Sequence, residues 1–443
     1  MPIDLAIRGT KVVTPGGVVE QDLFIDRGKF VDGGSPATQT IDAKGLTAFP
    51  GVIDSHVHFN EPGRPEWEGI ATGSAGLAAG GGTCFFDMPL NSLPTLDGPS
   101  FDLKHAAAKA SSITDFALWG GLTPVNLDKM EELARRGVIG FKAFMSHSGI
   151  PDFEHADDLT LFRGMQIAAK LGLPVAVHAE SDVITGKLTD EIRKRGGKSI
   201  DDYLASRPAV AEAEAIARAI ILAEEAGCKL HIVHVSTSRG VELVTRAATS
   251  GQCNVSCETC PHYLVLNSDE LKRLGAAAKC APPLRSDAEC ERLWKDVAAE
   301  RINFVASDHS PAPASMKQGD DFFAIWGGIS GVQSTLPLLL SREPALPRAV
   351  IGRLTATSVA SRYGVRTKGR IAPGYDGDVT LVDEDATYTL TREQLLDRHK
   401  LSPYVGRSFH GLVKRTIVRG TTVFNDGKVV SKPIGQLATP GAA

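Results

Sequence analysis

The sequence predicts an α/β chain: a (β/α)8 barrel carrying a small β-sandwich domain formed by both chain ends. Three observations carry this prediction. Short, continuous apolar runs alternate with helical stretches through the middle of the chain. Turn-rich segments of β texture occur at both ends. The apolar runs fall between residues 47 and 310, close to the ~250 residues of such a barrel.

Leu5–Val13, a turn at Pro15-Gly16-Gly17, and Asp22–Asp26 before Arg27-Gly28 read as a meander of strands. The apolar runs follow: Thr47–Asp54, Thr83–Asp87, Phe116–Trp119, Val138–Phe144, Pro174–His178, Leu230–Val235, Asn254–Cys257 and Ile302–Ser307. Runs without polar alternation are buried on both faces, which predicts a parallel sheet covered by helices. Pro208 opens and Gly227 closes a clear helix between two of them. Gly80-Gly81-Gly82 precedes a strand and reads as a helix stop. No glycine-rich phosphate turn follows the first run, which sets aside an open nucleotide-binding sheet. β texture returns at Asp378–Asp383 and Val413–Arg419, and Val423–Val430 reads as a hairpin around Asp426-Gly427. The expected domains are 1–48 with 369–430 as the sandwich and 49–368 as the barrel. Residues 431–443, rich in Pro, Gly and Ala, are expected to form a disordered tail.

Of 443 residues, 42% are hydrophobic, enough for a core without disulfides. The chain carries 48 basic and 52 acidic residues, a net charge of −4, and so lacks the basic excess of a nucleic-acid binder. No apolar run reaches the roughly 18 residues of a membrane-spanning helix. Asp4 and Arg8 stand where a signal peptide needs its apolar core. The seven Cys then read as reduced thiols, and the expected location is the cytoplasm.

The chemistry begins at the end of the first run, Asp54-Ser-His56-Val-His58. Residues two apart in a strand share a face, so His56 and His58 can grip one metal. His178 ends the fifth run, His234 lies near the end of the sixth, and Asp308 follows the eighth. In a barrel, strand C-termini converge on one face, where the active site lies. Lys142, near the end of the fourth run, is a further candidate. A plain ammonium has no lone pair for a cation. Reaction with CO2 would turn the amine into an anionic carbamate with two oxygens, and that modification is the expectation for Lys142.

Together these residues resemble the cyclic amidases of the metal-dependent amidohydrolase superfamily, over essentially the whole chain. The resemblance implies two divalent ions. His56, His58, carbamylated Lys142 and Asp308 would surround one, and Lys142, His178 and His234 would hold the other. Zinc is the expected metal, with iron, cobalt and manganese suited to the same donors. Two cations against a carbamate, a carboxylate and a hydroxide leave a residual positive charge, which favours ionised water and a polarised carbonyl. Asp308 is the expected catalytic base and then acid. A homo-oligomer, dimer or tetramer, is also expected, as is a small-molecule substrate, with no nucleic acid and no membrane.

Dihydroorotases of this group carry Arg two residues after the second His; here that residue is Asn60. Hydantoinases and dihydropyrimidinases lack the Glu61-Pro62-Gly63 that follows. What remains is similar to the allantoin-opening branch, as are Glu66-Trp-Glu-Gly69, Asp87–Ser92, Phe141–Met145, Asp157–Thr160, Glu258–Leu264, Lys279–Arg285 and Trp326–Gly331. His147 and Ala312 depart from the usual pattern. Asn60 and Asn91 offer both donors and acceptors and are the candidate contacts for a neutral substrate rich in N–H and C=O groups. The alternatives are a hydantoinase, dihydropyrimidinase or dihydroorotase, or a non-catalytic scaffold on the same fold. Filled ligand positions favour the enzyme.

Cys253, Cys257, Cys260 and His262 suggest a zinc cluster, but a second matched Cys pair is missing. Cys84, Cys228, Cys280 and Cys290 read as small buried residues. His231, three residues before His234, is expected on the other side of its strand, in a core or helix-facing position. His309 is expected to orient its loop, not to bind metal. His262 reads as a structural histidine or a support for the pocket.

Overall fold

The computed structural model of the chain describes residues 2–33, 36–90 and 92–441. Its N-terminal strands are β1 (Ile3–Thr14), β2 (Gly17–Asp26), β3 (Lys29–Phe30), β4 (Ala37–Asp42) and β5 (Thr47–Pro50). The middle of the chain holds β6 (Val52–Val57), β7 (Gly82–Asp87), β8 (Asp115–Leu118), β9 (Gly120–Gly121), β10 (Phe141–Phe144), β11 (Val175–His178), β12 (Leu230–Ile232), β13 (Val255–Thr259) and β14 (Phe304–Val305). β15 (Val379–Thr389), β16 (Ser408–Val418), β17 (Thr421–Asn425) and β18 (Lys428–Val429) follow.

Both chain ends build one β unit, as expected, but its hydrogen bonding does not divide into two sheets. It runs through a single nine-stranded sheet in the order β18-β17-β16-β15-β5-β1-β2-β3, with β4 on β1. β1 and β2 form an antiparallel hairpin, and β5 joins the halves by pairing parallel to β1 and antiparallel to β15. Leu5, Ile7, Leu23, Ile25, Ala48, Val379, Leu381 and Ile417 share its core. The first apolar run therefore serves two sheets. Thr47–Pro50 belongs to the β unit, Gly51 breaks the run, and β6 opens the parallel set, which moves the domain border two residues past the expected 48. Gly51 is required by packing: a Cβ there would lie 2.3 Å from Thr83 Oγ1.

In the middle part every pairing is parallel. β6-β7-β8 form one group and β9 to β14 a second, each in chain order. Only Trp119 separates β8 from β9, so the two continue one strand line. A parallel bridge joins Val57 to His309, with His58 N donating to His309 O at 2.8 Å. The exits of the first and last strands thus lie side by side. Helices cover the strands. Ala209–Ala226 is capped by Pro208 and ends at Gly227 with φ 64°, and Ile70–Ala79 ends at Gly80. Inside the strands, Ile53, Phe86, Ala117, Trp119, Phe304 and Tyr363 pack together.

The C-terminal residues, expected to be disordered, instead dock on the starts of the parallel strands. Ile434 N and Gly435 N both donate to Ser112 O, and Ala438 N donates to Phe116 O at 2.7 Å. Their Pro, Gly and Ala content hid this because the hydrogen bonds are made by backbone, which composition does not report, while Ile434 and Leu437 pack against the core.

Candidate metal centre

Four strand ends and one following loop deliver the predicted ligands to a common place. His56, at the end of β6, presents Nε2 3.3 Å from Asp308 Oδ1, and His58 Nε2 lies 3.4 Å from the same oxygen. The shared face of a strand explains the pair. His178 ends β11, and its Nδ1 lies 3.0 Å from His234 Nε2. The His56 and His234 rings are 5.4 Å apart. Lys142, in β10, is buried, and its Nζ has no hydrogen-bond partner. Burial pushes its amine down to about 7, opposed by the nearby Glu258 and Asp308 charges.

Backbone conformation re-aims two of these side chains. His234 and Asp308 both adopt left-handed φ values, 40° and 46°. Such values are uncommon for residues other than glycine and cluster at functional sites. They turn each side chain out of strict alternation just past its strand. Of the core and helix-facing positions expected for His231, the structure takes the core one, with His231 fully buried against Phe304. His231 points inward and supports the site, with Nε2 3.2 Å from Glu258 Oε2 and Nδ1 2.8 Å from Ser256 Oγ.

Carboxylates behind the ligands orient them. Glu258, in β13, lies 2.6 Å from His56 Nδ1 and accepts from Ser55 Oγ at 2.9 Å. Burial alone would raise its carboxyl, but His56 and His231 hold it well below the ordinary range. Glu180 lies 3.0 Å from His178 Nε2 and pairs with Arg207. The same balance, burial outweighed by His56 and His58, holds Asp308 down to about 2. Burial lowers His58, His178 and His234. Neutral imidazoles and an ionised carboxylate are the forms that ligate a metal.

Asn60 lies beside these ligands with φ 60°, and its Nδ2 donates to His58 O at 3.0 Å. One N–H of its amide is thus used on its own loop. Asn91 lies outside the described residues. His147 is exposed, and its Nδ1 accepts from Gly149 N at 3.1 Å. His309 holds its loop, as expected: Nδ1 accepts from Gly331 N at 3.2 Å, and Nε2 lies 3.4 Å from Glu68. His262 and Cys260 lie against Asp308, and neither ring nitrogen of His262 has a partner. All seven Cys are buried and free. Cys253 and Cys257 join no ligand group among the described residues.

Residues 47–423 match the model of the Amidohydrolase family. The chain belongs to this amidohydrolase family. It is 55% identical over 446 aligned residues, 99% of this chain and 97% of the relative, to the allantoinase of Solibacter usitatus. It is 56% identical to that of Rubrobacter xylanophilus, over 99% of this chain and 98% of the relative. Among solved structures, L-hydantoinase (dihydropyrimidinase) from Arthrobacter aurescens superposes with a TM-score of 0.95 at 33% identity, covering 99% of this chain and all of that one.

Amidohydrolases are metal-dependent enzymes, and the donors of this chain fit a metal. His56, His58 and Asp308 place ligand atoms within 4.8 Å of one another. His234 Nδ1 and Lys142 Nζ are buried with no partner in the chain. Buried polar atoms are rarely left unpaired, so such a concentration calls for an external partner. Sequence reasoning missed Glu180 and Arg207 altogether, and it named Glu258 only within a motif. The His178-Ala-Glu180 spacing was the available signal, since residues two apart share a face.

Proposed function

We propose that this amidohydrolase hydrolyses the cyclic amide of allantoin, opening its hydantoin ring to give allantoate in purine degradation. The observation that carries the reading is 55–56% identity to two allantoinases over 99% of this chain. The parallel strands are read as a closed (β/α)8 barrel, a reading supported by the Val57–His309 bridge and by the hydantoinase likeness. The β unit from both ends is its second domain. The enzyme is read as a cytoplasmic homo-oligomer.

Two divalent ions, zinc by preference, would be held by His56, His58 and Asp308 and by His178 and His234, with carbamylated Lys142 between them. When bound, they supply Lewis acidity to a carbonyl and favour ionisation of water near neutral pH. The remaining work falls to the chain. Only the free amine of Lys142 adds to CO2, forming a C–N bond and releasing a proton. An amine held at about 7 is partly free base at neutral pH. Asp308, ionised beside two imidazoles, takes the proton of the attacking water and passes it to the departing ring nitrogen, a poor leaving group without it. Glu258 and Glu180 hold the rings of His56 and His178. Asn91 and Asn60 are the proposed contacts for the ureido and ring amides.

The test is a side-by-side assay of metal-supplemented protein on allantoin, hydantoin, dihydrouracil and dihydroorotate. The expected order places allantoin first and dihydroorotate last, since Asn60 stands where an arginine would meet its carboxylate. A preference for any of the other three overturns the substrate while leaving a cyclic amidase. Lys142→Ala should lose a metal and the activity, with partial recovery of both in added short carboxylic acids.

A further inference from the structure

The two halves of the metal centre are steadied by different chemistry. Behind His56, Glu258 is met by side chains of the strands themselves: Ser55 Oγ at 2.9 Å and the imidazole of His231 at 3.2 Å. Behind His178, Glu180 has no exposure, and its charge is met by a guanidinium. Arg207 Nη1 pairs with Glu180 Oε2, the same oxygen that lies 3.0 Å from His178 Nε2.

Arg207 comes from outside the strands. It caps the short helix Ile200–Ser206. A second arginine fixes it, since Arg285 Nη1 donates to Arg207 O at 2.6 Å and Arg285 Nε to Ser236 Oγ at 3.0 Å. The result is a line of contacts, Arg285 to Arg207 to Glu180 to His178, ending at the nitrogen opposite the one that faces His234.

We infer that Arg207 is a positioning residue for the His178–His234 half of the centre, acting through Glu180. A neutral imidazole has one N–H and one lone pair, and the partner of one nitrogen decides which is which. Glu180 Oε2, 3.0 Å from His178 Nε2, accepts the N–H of that nitrogen, which leaves Nδ1 with its lone pair directed at His234. Arg207 Nη1 holds the same oxygen and so fixes the carboxylate against the ring. Without Arg207 the carboxylate is free to turn away from Nε2, and neither the orientation nor the tautomer of His178 is held for the cation. The His56–His58–Asp308 half does not use Arg207.

This inference rests on the reading that the parent holds two ions, one per half. The experiment is a titration of chelator-treated, CO2-supplied protein with zinc, counting bound metal by mass spectrometry after equilibrium against a zinc buffer. The parent should bind two equivalents. Arg207→Gln and Glu180→Gln should each bind one equivalent with the parent's affinity and the other ~10–100-fold more weakly, the usual range for residues behind a ligand. Glu258→Gln should weaken the complementary equivalent. Cobalt absorption should then distinguish the half that survives in Arg207→Gln from the half that survives in Glu258→Gln. If Arg207→Gln does not fold, Arg207→Lys, which keeps the charge but not the fork, should weaken the same equivalent to a lesser degree. Two equivalents at parent affinity in the Arg207 and Glu180 variants, or equal weakening of both, overturns the inference. A parent that binds fewer than two equivalents overturns the two-ion reading instead.

Discussion

Two buried clusters of acidic and cationic groups lie at opposite ends of the parallel strands, and they are finished in different ways. At the strand starts, Asp115, Asp376 and Asp378 come close enough to hold a cation, but the chain supplies its own. Lys368 Nζ lies 2.6, 3.1 and 2.7 Å from the three carboxylates, and Arg419 also pairs with Asp115. At the strand ends, His56, His58 and Asp308 converge in the same manner, yet the nearby Lys142 reaches no acceptor and His234 Nδ1 reaches no partner. Similar groups at similar separations thus make a structural clasp where the chain neutralises itself. They make the proposed reactive centre where it does not.

The largest effect that this contrast predicts is at Asp308. Asp308→Asn keeps the shape of the side chain but cannot take a proton. Its kcat per folded molecule should fall by about 10²–10⁴, the usual contribution of a positioned acid–base group, while the metal-free protein at pH 7 loses about 2 kcal/mol of stability, because the carboxyl that His56 and His58 hold down is a stabilising group. Steady-state kinetics alongside urea unfolding check both halves. Turnover near the parent's would remove Asp308 from the chemistry. The mirror experiment is Lys368→Met, which leaves three carboxylates without their ammonium. Breaking a buried ion cluster by removing one partner costs about 3–5 kcal/mol. That loss should appear in the unfolding midpoint, with kcat per folded molecule unchanged.

The reactive cluster was the more legible of the two in the sequence. His56-x-His58 and the strand-end positions of His178, His234 and Asp308 follow from period-two alternation and strand order, which short apolar runs reveal. The clasp was invisible because Asp115, Lys368 and Arg419 are far apart in the chain and belong to no motif. The same limit hid Arg207, whose partner Glu180 lies on a different element. The contact of His231 with Glu258 was not legible, because the partner lies on another strand and simple alternation fails at His234, where φ turns positive. The branch-point at Gly51 was hidden inside one apolar run that serves two sheets.

The pH dependence of metal-free stability sharpens the comparison next, because the two lysines shift in opposite directions. Burial lowers Lys142 from 10.5 to about 7. Between those values the unfolded chain binds more protons than the folded one, so stability rises with pH across this window. Lys368 is raised above 10.5: burial opposes the charge, but Asp378 and its neighbours outweigh it. Its contribution is fully present below 10.5 and is lost as pH rises through the folded value. Lys142→Met should therefore abolish a stability gain of order a few kcal/mol between pH 7 and 9.5 in CO2-free buffer. Lys368→Met should leave that gain in place. Urea unfolding at three pH values decides it, and parallel slopes for parent and Lys142→Met would mean that the amine finds a partner in solution.

The smallest expected effect concerns the C-terminal segment, which completes the clasp. Gln436 N donates to Asp115 Oδ1 at 2.8 Å, and Arg419 Nη2 donates to Ile434 O at 2.6 Å. Ending the chain at Val430 removes these bonds together with the backbone bonds of Ile434, Gly435 and Ala438 to residues 112 and 116. Each buried group left unpaired costs about 1–3 kcal/mol. Water reaches part of the opened surface, and the released residues regain chain entropy, so the fall in the unfolding midpoint should be smaller than that of Lys368→Met. Because the segment docks where the parallel strands begin, whereas the ligands sit where they end, kcat and KM for allantoin should not change. A truncated protein that keeps its unfolding midpoint but loses turnover would mean that the clasp and the centre are coupled along the strands, and the division between a structural end and a reactive end would fail.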